Sequence, residues 1–195
     1  MDNVKVIDNF LPNYIQDKLD FLSSSGFGNI SWRLNQKTSY SKMPPEFEGK
    51  YKEGTQLVNK FIDDGQFLFG DMSHYFFLPL QIACVKEQLD INLTNIQRAK
   101  INLKFKQCSN FDSFINPPHQ DNQFKNSIIG IYYINDSDGD TIIYEGNDKS
   151  NVKPIQNISP KKGRMLLMDG ATWHSASHPI KTETRKVINY NIILQ

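Results

Sequence analysis

The sequence predicts an α+β, mainly β fold, because helical patterns fill its first half and strand patterns fill its second half. In the first half, apolar residues recur at helical spacing in residues 11–24 and 78–89. From residue 97 onward, runs rich in Ile, Val, Leu and Tyr are separated by clusters of Gly, Asp, Asn and Pro. Helices that precede a set of strands are typical of helices packed on one sheet of an antiparallel sandwich.

Six segments are predicted in the first half. Ile15, Leu19 and Leu22 lie at helical spacing and define the apolar face of the first helix. A polar stretch that contains Pro44-Pro45 and several charged residues is predicted to be a long loop. In order, the segments are a strand (4–7), a helix (11–24), a candidate strand (30–34), the loop (35–55), a short helix (56–63) and a firmer helix (78–89).

Five strands are predicted in the second half, each rich in β-branched or aromatic residues and bounded by turn residues. Their expected positions are 98–107, 127–134, 141–144, 164–168 and 186–194, with turns at 136–140, 146–150 and 160–163. We therefore expect a single domain of residues 1–195. Residues 1–97 would provide helical support and loops, and residues 98–195 would form the β core.

Composition excludes several classes of protein. The chain has 195 residues, enough for one domain with a sizeable core, and its 22 Lys+Arg against 21 Asp+Glu give a net charge of +1. This balance argues against nonspecific attraction to nucleic acid or to a membrane surface. Two cysteines do not form a disulfide framework, and neither a secretory signal nor a membrane-spanning run is visible. A cytoplasmic location is therefore expected, while the oligomeric state stays open.

The sequence His119-Gln120-Asp121, followed by His174, is a candidate metal site. Residues i and i+2 of an extended segment point to the same side, so His119 and Asp121 can bind one ion. Two imidazoles and one carboxylate leave coordination positions open, as in non-haem Fe(II) oxygenases, whereas a structural zinc site is closed by four ligands. The alternative is that His119 and Asp121 belong to a polar turn after Pro117-Pro118.

A longer pattern surrounds these residues. It consists of PPHQDN (117–122), IGIYYIND (129–136), DGDTIIYEG (138–146) and SPKKGRMLLMDGATWHSASHP (159–179), which runs into TRKVINYNI (184–192). In this order and spacing, the pattern resembles the Fe(II)/2-oxoglutarate-dependent dioxygenases, within them the prolyl 4-hydroxylase-like branch. The resemblance covers about residues 98–194. It implies a double-stranded β-helix, the jelly roll shared with cupins, with the N-terminal helices packed on one sheet.

The resemblance also implies roles for individual residues. His119, Asp121 and His174 would hold Fe(II), with His178 as the rival of His174. Arg185 would grip the distal carboxylate of 2-oxoglutarate, although it could instead pair with an acidic residue on the surface.

Three further assignments concern the cleft around the cosubstrate. Tyr133 would share the carboxylate with Arg185, and Tyr132 would replace it if the strand register were shifted by one residue. Asn102 is a further candidate, because its side chain could point into the cleft. The alternative is that Asn102 is an ordinary polar residue on one face of a strand.

The expected activity is hydroxylation of an unactivated C–H bond, with Fe(II), 2-oxoglutarate, O2 and, as a further reductant, ascorbate. A prolyl residue in a peptide or protein is the first substrate expected, with residues 35–55 and 123–126 as candidate lids. A free amino acid or small metabolite is the alternative substrate, and a non-enzymatic jelly-roll binding module is the alternative class. Asn191 stands where nucleic-acid demethylases of this superfamily have a second arginine, so no nucleic-acid substrate is expected.

Overall fold

The computed structural model describes residues 4–24, 30–37, 39–68, 73–87, 95–107, 114–121 and 126–194. Within these residues the chain forms strands, two α-helices and one short 3-10 helix. The strands are β1 (Val4–Ile7), β2 (Arg33–Asn35), β3 (Gln56–Asp63), β4 (Gln66–Phe67), β5 (Ile96–Phe105), β6 (Ser127–Tyr133), β7 (Thr141–Glu145), β8 (Lys153–Ile158), β9 (Met165–Asp169), β10 (Trp173–Ala176) and β11 (Thr184–Ile193). The helices are α1 (Asn13–Ser23) and α2 (Ser73–Glu87), and the 3-10 turn spans Pro45–Phe47.

The strands form two antiparallel sheets. The large sheet has the order β1-β9-β6-β11-β5-β3-β2, with β4 paired to β3, and the small sheet has the order β10-β7-β8. An apolar layer lies between them, contributed by β6, β7, β8, β9 and β11. The mainly β fold class is therefore confirmed.

Helices cover the other face of the large sheet. Leu19 of α1 and Phe76 of α2 belong to the same buried cluster as Ile101, Ile188 and Tyr190 of the sheet. Along β11, successive side chains alternate between this helical layer and the space between the sheets. The helices thus pack on one sheet, as the sequence predicted.

The loop at residues 35–55 packs onto the small sheet in its central part. Phe47 is 1% exposed and lies in a cluster with Ile142, Tyr144 and Trp173 on the outer face of that sheet. Tyr40 anchors the loop further because its hydroxyl donates a hydrogen bond of 2.7 Å to the Pro118 carbonyl. This part of the loop is a packed layer of the structure, which weakens its interpretation as a lid. The other candidate lid, residues 123–126, lies almost wholly outside the described residues.

The short helix predicted at residues 56–63 is wrong, because this segment is strand β3 of the large sheet. A register shift between Lys60 and Ile62 places both Phe61 and Ile62 in the core, so the apolar positions mimic helical spacing. Pairing with β5 decides the conformation. Strands β1, β2 and β3 all join the large sheet, so the first half contributes more than helices and loops.

Other differences concern weak local signals. Helix α2 begins at Ser73, before the predicted start, and contains Pro79 in its interior; its predicted end lies outside the described residues. Strand β8 was not predicted because five of its six residues are exposed and it lacks an apolar alternation. Strand β10 was not predicted either, since it is only four residues long. Neither helix in the described part of the chain is long and apolar enough to cross a bilayer.

Candidate active site

Main-chain pairing holds the two histidines of the candidate metal site together. Residues 115–119 run antiparallel to β10, with bridges between Ile115 and Ser177 and between His119 and His174. The amide of His119 donates to the carbonyl of His174 at 2.9 Å, and the amide of His174 donates to the carbonyl of His119 at 3.0 Å. The ring centroids are consequently 4.6 Å apart.

Each histidine is also held in one tautomer. The Nδ1 of His119 lies 3.2 Å from the Pro117 carbonyl oxygen, and the Nδ1 of His174 lies 2.9 Å from the Thr172 carbonyl oxygen. A carbonyl can only accept, so both Nδ1 atoms are protonated and donate. The lone pairs on Nε2 are then available to a metal ion, which is the usual support for histidine ligands.

Asp121 completes the cluster. Its Oδ1 lies 3.7 Å from His119 Nε2, and its Oδ2 lies 3.9 Å from His174 Nε2. One ligand atom from each of the three residues lies within 4.8 Å of the others. Arg98 donates from Nη2 to Asp121 Oδ1 at 3.1 Å, while Oδ2 is buried and has no hydrogen-bond partner in the described structure. A buried carboxylate oxygen in this position is suited to a cation.

The electrostatic environment favours the protonation states that a metal needs. Burial, together with the neighbouring His174, lowers the pKa of His119 from 6.5 to about 3, so the ring is neutral at physiological pH. Burial opposes ionisation of Asp121, but His174, His119, Lys100 and Arg98 outweigh it and lower the pKa of the carboxyl below its usual value. The site therefore presents a neutral imidazole at His119 and a carboxylate at Asp121.

These three residues line a narrow cleft of about 50 Å³ between the two sheets. One wall is the cleft-facing side of β5 and β11, where every second residue is directed inward. The small sheet provides the opposite wall through His174, Ser175, Ala176 and Thr141.

Arg185 also lines this cleft, and only 3% of it is exposed. Its Nε donates to the Gly139 carbonyl at 2.6 Å, and its Nη2 donates to Thr141 Oγ1 at 2.9 Å. Both acceptors are neutral, and Arg185 forms no ion pair with a carboxylate in the described part of the chain. A Cβ on Gly139 would lie 3.0 Å from Arg185 Cδ, so the turn approaches the guanidinium closely. The alternative of a surface ion pair for Arg185 is therefore wrong.

Tyr133, on β6, faces the space between the sheets, and Tyr132 faces the helical layer. The guanidinium of Arg185 lies 5.8 Å from the ring centroid of Tyr133. The Tyr133 hydroxyl donates to Thr141 Oγ1 at 2.7 Å, and Thr141 also accepts from Arg185. Because Thr141 accepts twice, its hydroxyl proton is available to a further acceptor. Tyr133 thus acts on the cleft through Thr141.

Asn102 and His178 take different positions. Asn102 lines the cleft, is 5% exposed, and its Oδ1 has no hydrogen-bond partner among the described residues. His178 lies outside the metal cluster, where its Nδ1 contacts Gln107 Nε2 at 3.2 Å and its ring packs edge-on against Phe114. A Cβ on Gly54 would fall 2.0 Å from His178 Nε2, so His178 is packed against backbone.

Sequence reasoning missed several residues that line or support the cleft, among them Lys104, Thr141 and Arg98. Lys104 and Thr141 line it, and Arg98 contacts the carboxylate of Asp121. The signal for two of them was present in β5, whose sequence alternates Arg98, Lys100, Asn102 and Lys104 with apolar residues. Such an alternation is usually a solvent-exposed polar face, and only the second sheet turns it into a cleft wall.

No protein-family model and no curated protein matches this sequence significantly. Solved structures do match it. A 2OG-Fe(II) oxygenase family member from Burkholderia pseudomallei has a TM-score of 0.67 at 11% identity, over 97% of this chain and 84% of that one. The epimerase SnoN of nogalamycin biosynthesis has a TM-score of 0.64 at 12% identity, over 98% of this chain and 78% of that one. SnoN has also been solved with Fe3+ and alpha ketoglutarate. A Pseudomonas putida prolyl-4-hydroxylase has a TM-score of 0.55 at 12% identity, over 99% of this chain and 94% of that one.

At these identities the likeness establishes the fold. The chain has the double-stranded β-helix of the 2-oxoglutarate/Fe(II) oxygenases, with their two-sheet architecture over almost its whole length. The predicted jelly roll is confirmed. What this chain binds and does is argued from its own residues.

The geometry predicts that His174, but not His178, is needed for metal binding. His174→Ala removes one of three ligands and is expected to weaken Mn(II) or Fe(II) binding at least roughly 100-fold, because two remaining ligands hold an ion poorly. His178→Ala is the matched control and should leave metal affinity unchanged. Anaerobic calorimetric titration measures both. The reverse ranking would show that His178 is the ligand.

The metal-free protein should lose stability as the pH falls below 6.5. Burial lowers the pKa of His178 from 6.5 to about 3, and His119 behaves similarly. The unfolded chain therefore takes up protons that the folded chain does not, and each histidine reduces the free energy of unfolding by up to ~1.4 kcal/mol per pH unit.

His178→Asn should remove the contribution of His178 to the pH dependence of the free energy of unfolding. Urea denaturation of wild type and variant at several pH values between 6.5 and 4 measures the difference between their slopes. Parallel pH profiles would contradict a buried neutral His178.

Proposed function

We propose that this protein is an Fe(II)- and 2-oxoglutarate-dependent oxygenase that hydroxylates an unactivated C–H bond. The observation that carries the proposal is the convergence of His119 Nε2, His174 Nε2 and the Asp121 carboxylate in one cleft. The same cleft contains a buried arginine without a carboxylate partner among the described residues. The likeness to oxygenase folds supports the proposal, and a non-enzymatic binding module would have no need of both features.

The donor set fits a non-haem iron. Two imidazole nitrogens and one carboxylate leave the remaining positions of the ion open to ligands, in contrast to closed zinc sites. Asp121 Oδ2 is buried without a hydrogen-bond partner in the described structure, and a cation there would compensate that carboxylate. Arg98 occupies Oδ1 and so directs the other oxygen toward the metal position.

The other end of the cleft fits the distal carboxylate of 2-oxoglutarate. A guanidinium that is nearly fully buried without a counter-ion destabilises the protein, and a bound carboxylate offsets this cost through charge-assisted hydrogen bonds. Arg185 is held in place by Gly139 and Thr141, and the free proton of Thr141 is a further donor. Tyr133 keeps Thr141 oriented, because burial raises its pKa and leaves its hydroxyl protonated.

In this proposal, the bound metal with 2-oxoglutarate and O2 supplies the oxidising chemistry. The residues of the chain bind and orient. His119, Asp121 and His174 hold one side of the ion, Arg185 and Thr141 hold the cosubstrate at its far end, and the two sheets exclude bulk water. Asp121 as a carboxylate favours hydroxylation, since halogenating relatives have a small residue at this position.

The substrate proposed first is a prolyl residue of a peptide or protein. It is supported by the sequence resemblance of residues 98–194 and by the likeness to the prolyl-4-hydroxylase fold. A free amino acid or small metabolite is the second candidate, because SnoN, with the same fold, was solved with nogalamycin RO. No nucleic-acid partner is proposed.

Arg185→Ala is expected to weaken binding of 2-oxoglutarate by roughly 2 to 5 kcal/mol, because it removes the buried cation that faces the distal carboxylate. The measurement is anaerobic titration of the Fe(II)-loaded protein with 2-oxoglutarate, followed by the visible charge-transfer band of the chelated 2-oxo acid. His119→Ala should abolish the band. Arg33→Ala, on an exposed strand, is the matched control and should bind as the wild type does.

Each other result has a distinct meaning. If Arg185→Ala bound 2-oxoglutarate as tightly as the wild type, Arg185 would not be the anchor. If iron bound but gave no band, the protein would be a metal enzyme that does not use 2-oxoglutarate. If no iron bound at all, a binding module would be the better interpretation.

Proline-containing peptides should gain one oxygen atom when incubated with the Fe(II)-loaded protein, 2-oxoglutarate, ascorbate and air. Mass spectrometry detects the product, and the same peptides with alanine in place of proline are the matched control. Free proline tested in parallel distinguishes an amino-acid hydroxylase. Equal oxidation of the proline-containing and alanine-containing peptides would contradict the proposal of a prolyl substrate.

A further inference from the structure

Two cations lie side by side at the buried end of the cleft. Lys104 on β5 is the direct cross-strand partner of Arg185 on β11, and both side chains line the cleft. Lys104 is 2% exposed and Arg185 is 3% exposed. Residues opposite each other in an antiparallel pair have Cβ atoms about 5 Å apart, so the two charges are close.

Neither side chain forms a hydrogen bond to a carboxylate within the described structure. The Nζ of Lys104 is shielded from solvent and has no hydrogen-bond partner there, and Arg185 donates only to neutral oxygens. Glu53 is the carboxylate that contributes favourably to the charge of Lys104. Its carboxylate also accepts hydrogen bonds from the amides of Ser39 and Tyr40, and Lys104 Nζ has no hydrogen bond to it. A carboxylate that enters the cleft can therefore pair with both side chains.

Burial and the charge of Arg185 lower the pKa of Lys104 well below its usual value, which shows that the folded chain disfavours the ammonium form. Asn102, two residues earlier on the same strand face, also leaves its Oδ1 without a partner in the described part of the chain. Buried polar groups that lack partners are uncommon, and inside a cleft a ligand can supply the missing partner.

We infer that Lys104 and Arg185 together form a two-cation pocket for the distal carboxylate of a dicarboxylic 2-oxo acid. This inference rests on the proposed function and adds Lys104 as a second determinant of cosubstrate specificity. A carboxylate has two oxygens, so it can accept from the guanidinium and from the ammonium at the same time. A 2-oxo acid without the second carboxylate leaves both cations unpaired in a dry site, and is rejected.

Replacing Lys104 is also expected to change stability. The substitution relieves the ligand-free protein of a buried amino group that has no hydrogen-bond partner in the described structure, while it removes a contact from the liganded protein. Lys104→Met keeps the length of the side chain without the charge. The variant is therefore expected to unfold at the same or a higher temperature than the wild type when no ligand is present.

The experiment compares wild type, Lys104→Met and Lys104→Gln, with Lys106→Met as the matched control. Lys106 lies two residues further along, is exposed and pairs with Glu183 at the surface. Anaerobic calorimetry of the Mn(II)-loaded proteins measures the Kd of 2-oxoglutarate and of 2-oxobutyrate, which lacks the distal carboxylate. Thermal unfolding without metal or ligand gives Tm for each protein.

For 2-oxoglutarate, Lys104→Met and Lys104→Gln should raise Kd roughly 10- to 100-fold, the range for loss of one charge-assisted hydrogen bond. Their Kd for 2-oxobutyrate should be unchanged or lower, so that discrimination between the two acids falls. Lys106→Met should match the wild type in both measurements.

Other outcomes overturn the inference in distinguishable ways. If the wild type binds 2-oxoglutarate and both Lys104 variants bind it equally well, Lys104 is not part of the pocket, while the proposed function stands. If both variants lose affinity for the two acids equally and have a lower Tm, the role of Lys104 is structural. If the wild type binds neither acid, the proposed function fails and the inference fails with it.

Discussion

The cleft depends on the antiparallel pairing of β5 with β11, because this pairing decides which side chains face inward. Ala99, Ile101 and Ile188 pack under the helices, whereas the polar residues between them face the small sheet. A shift of either strand by one residue would turn its cleft-facing cation, Lys104 on β5 or Arg185 on β11, into the apolar helical layer. The cost of burying unpaired charges in that layer makes the register unambiguous.

The charge distribution across the cleft is asymmetric. Lys100, Lys104 and Arg185 line one wall, and Asp121, which accepts from Arg98, is the carboxylate among the lining residues of the described structure. Such a wall lowers the free energy of unfolding of the ligand-free protein. Anions that bind to it are expected to raise that free energy again. This is the usual compromise of a preorganised site, which keeps charges in place before the ligand arrives.

The metal end is organised by the main chain. The short segment at residues 115–119 pairs with β10 through reciprocal hydrogen bonds between His119 and His174. Backbone carbonyls two residues earlier hold both Nδ1 atoms, so the orientation of each ring is set without other side chains. The proposed metal ligands thus lie on a hydrogen-bonded frame, and Arg98 donates to one oxygen of Asp121 while the other has no hydrogen-bond partner in the described structure. A site of this kind needs little reorganisation when an ion binds.

The sequence by itself determined the fold class, most strands of the second half, and the residues His119, Asp121, His174 and Arg185 as candidates, because these depend on local patterns and on their order along the chain. Tertiary structure alone decided which of Tyr133 and Tyr132 faces the space between the sheets, since both have the same local pattern and only the position of the sheets gives each face its neighbours. It also turned residues 56–63 into a strand, through pairing with β5 and a bulge. The sequence did not indicate Lys104 as a cleft residue for the same reason. The polar face of an alternating strand is buried only where a second sheet covers it, and that depends on long-range contacts of the chain.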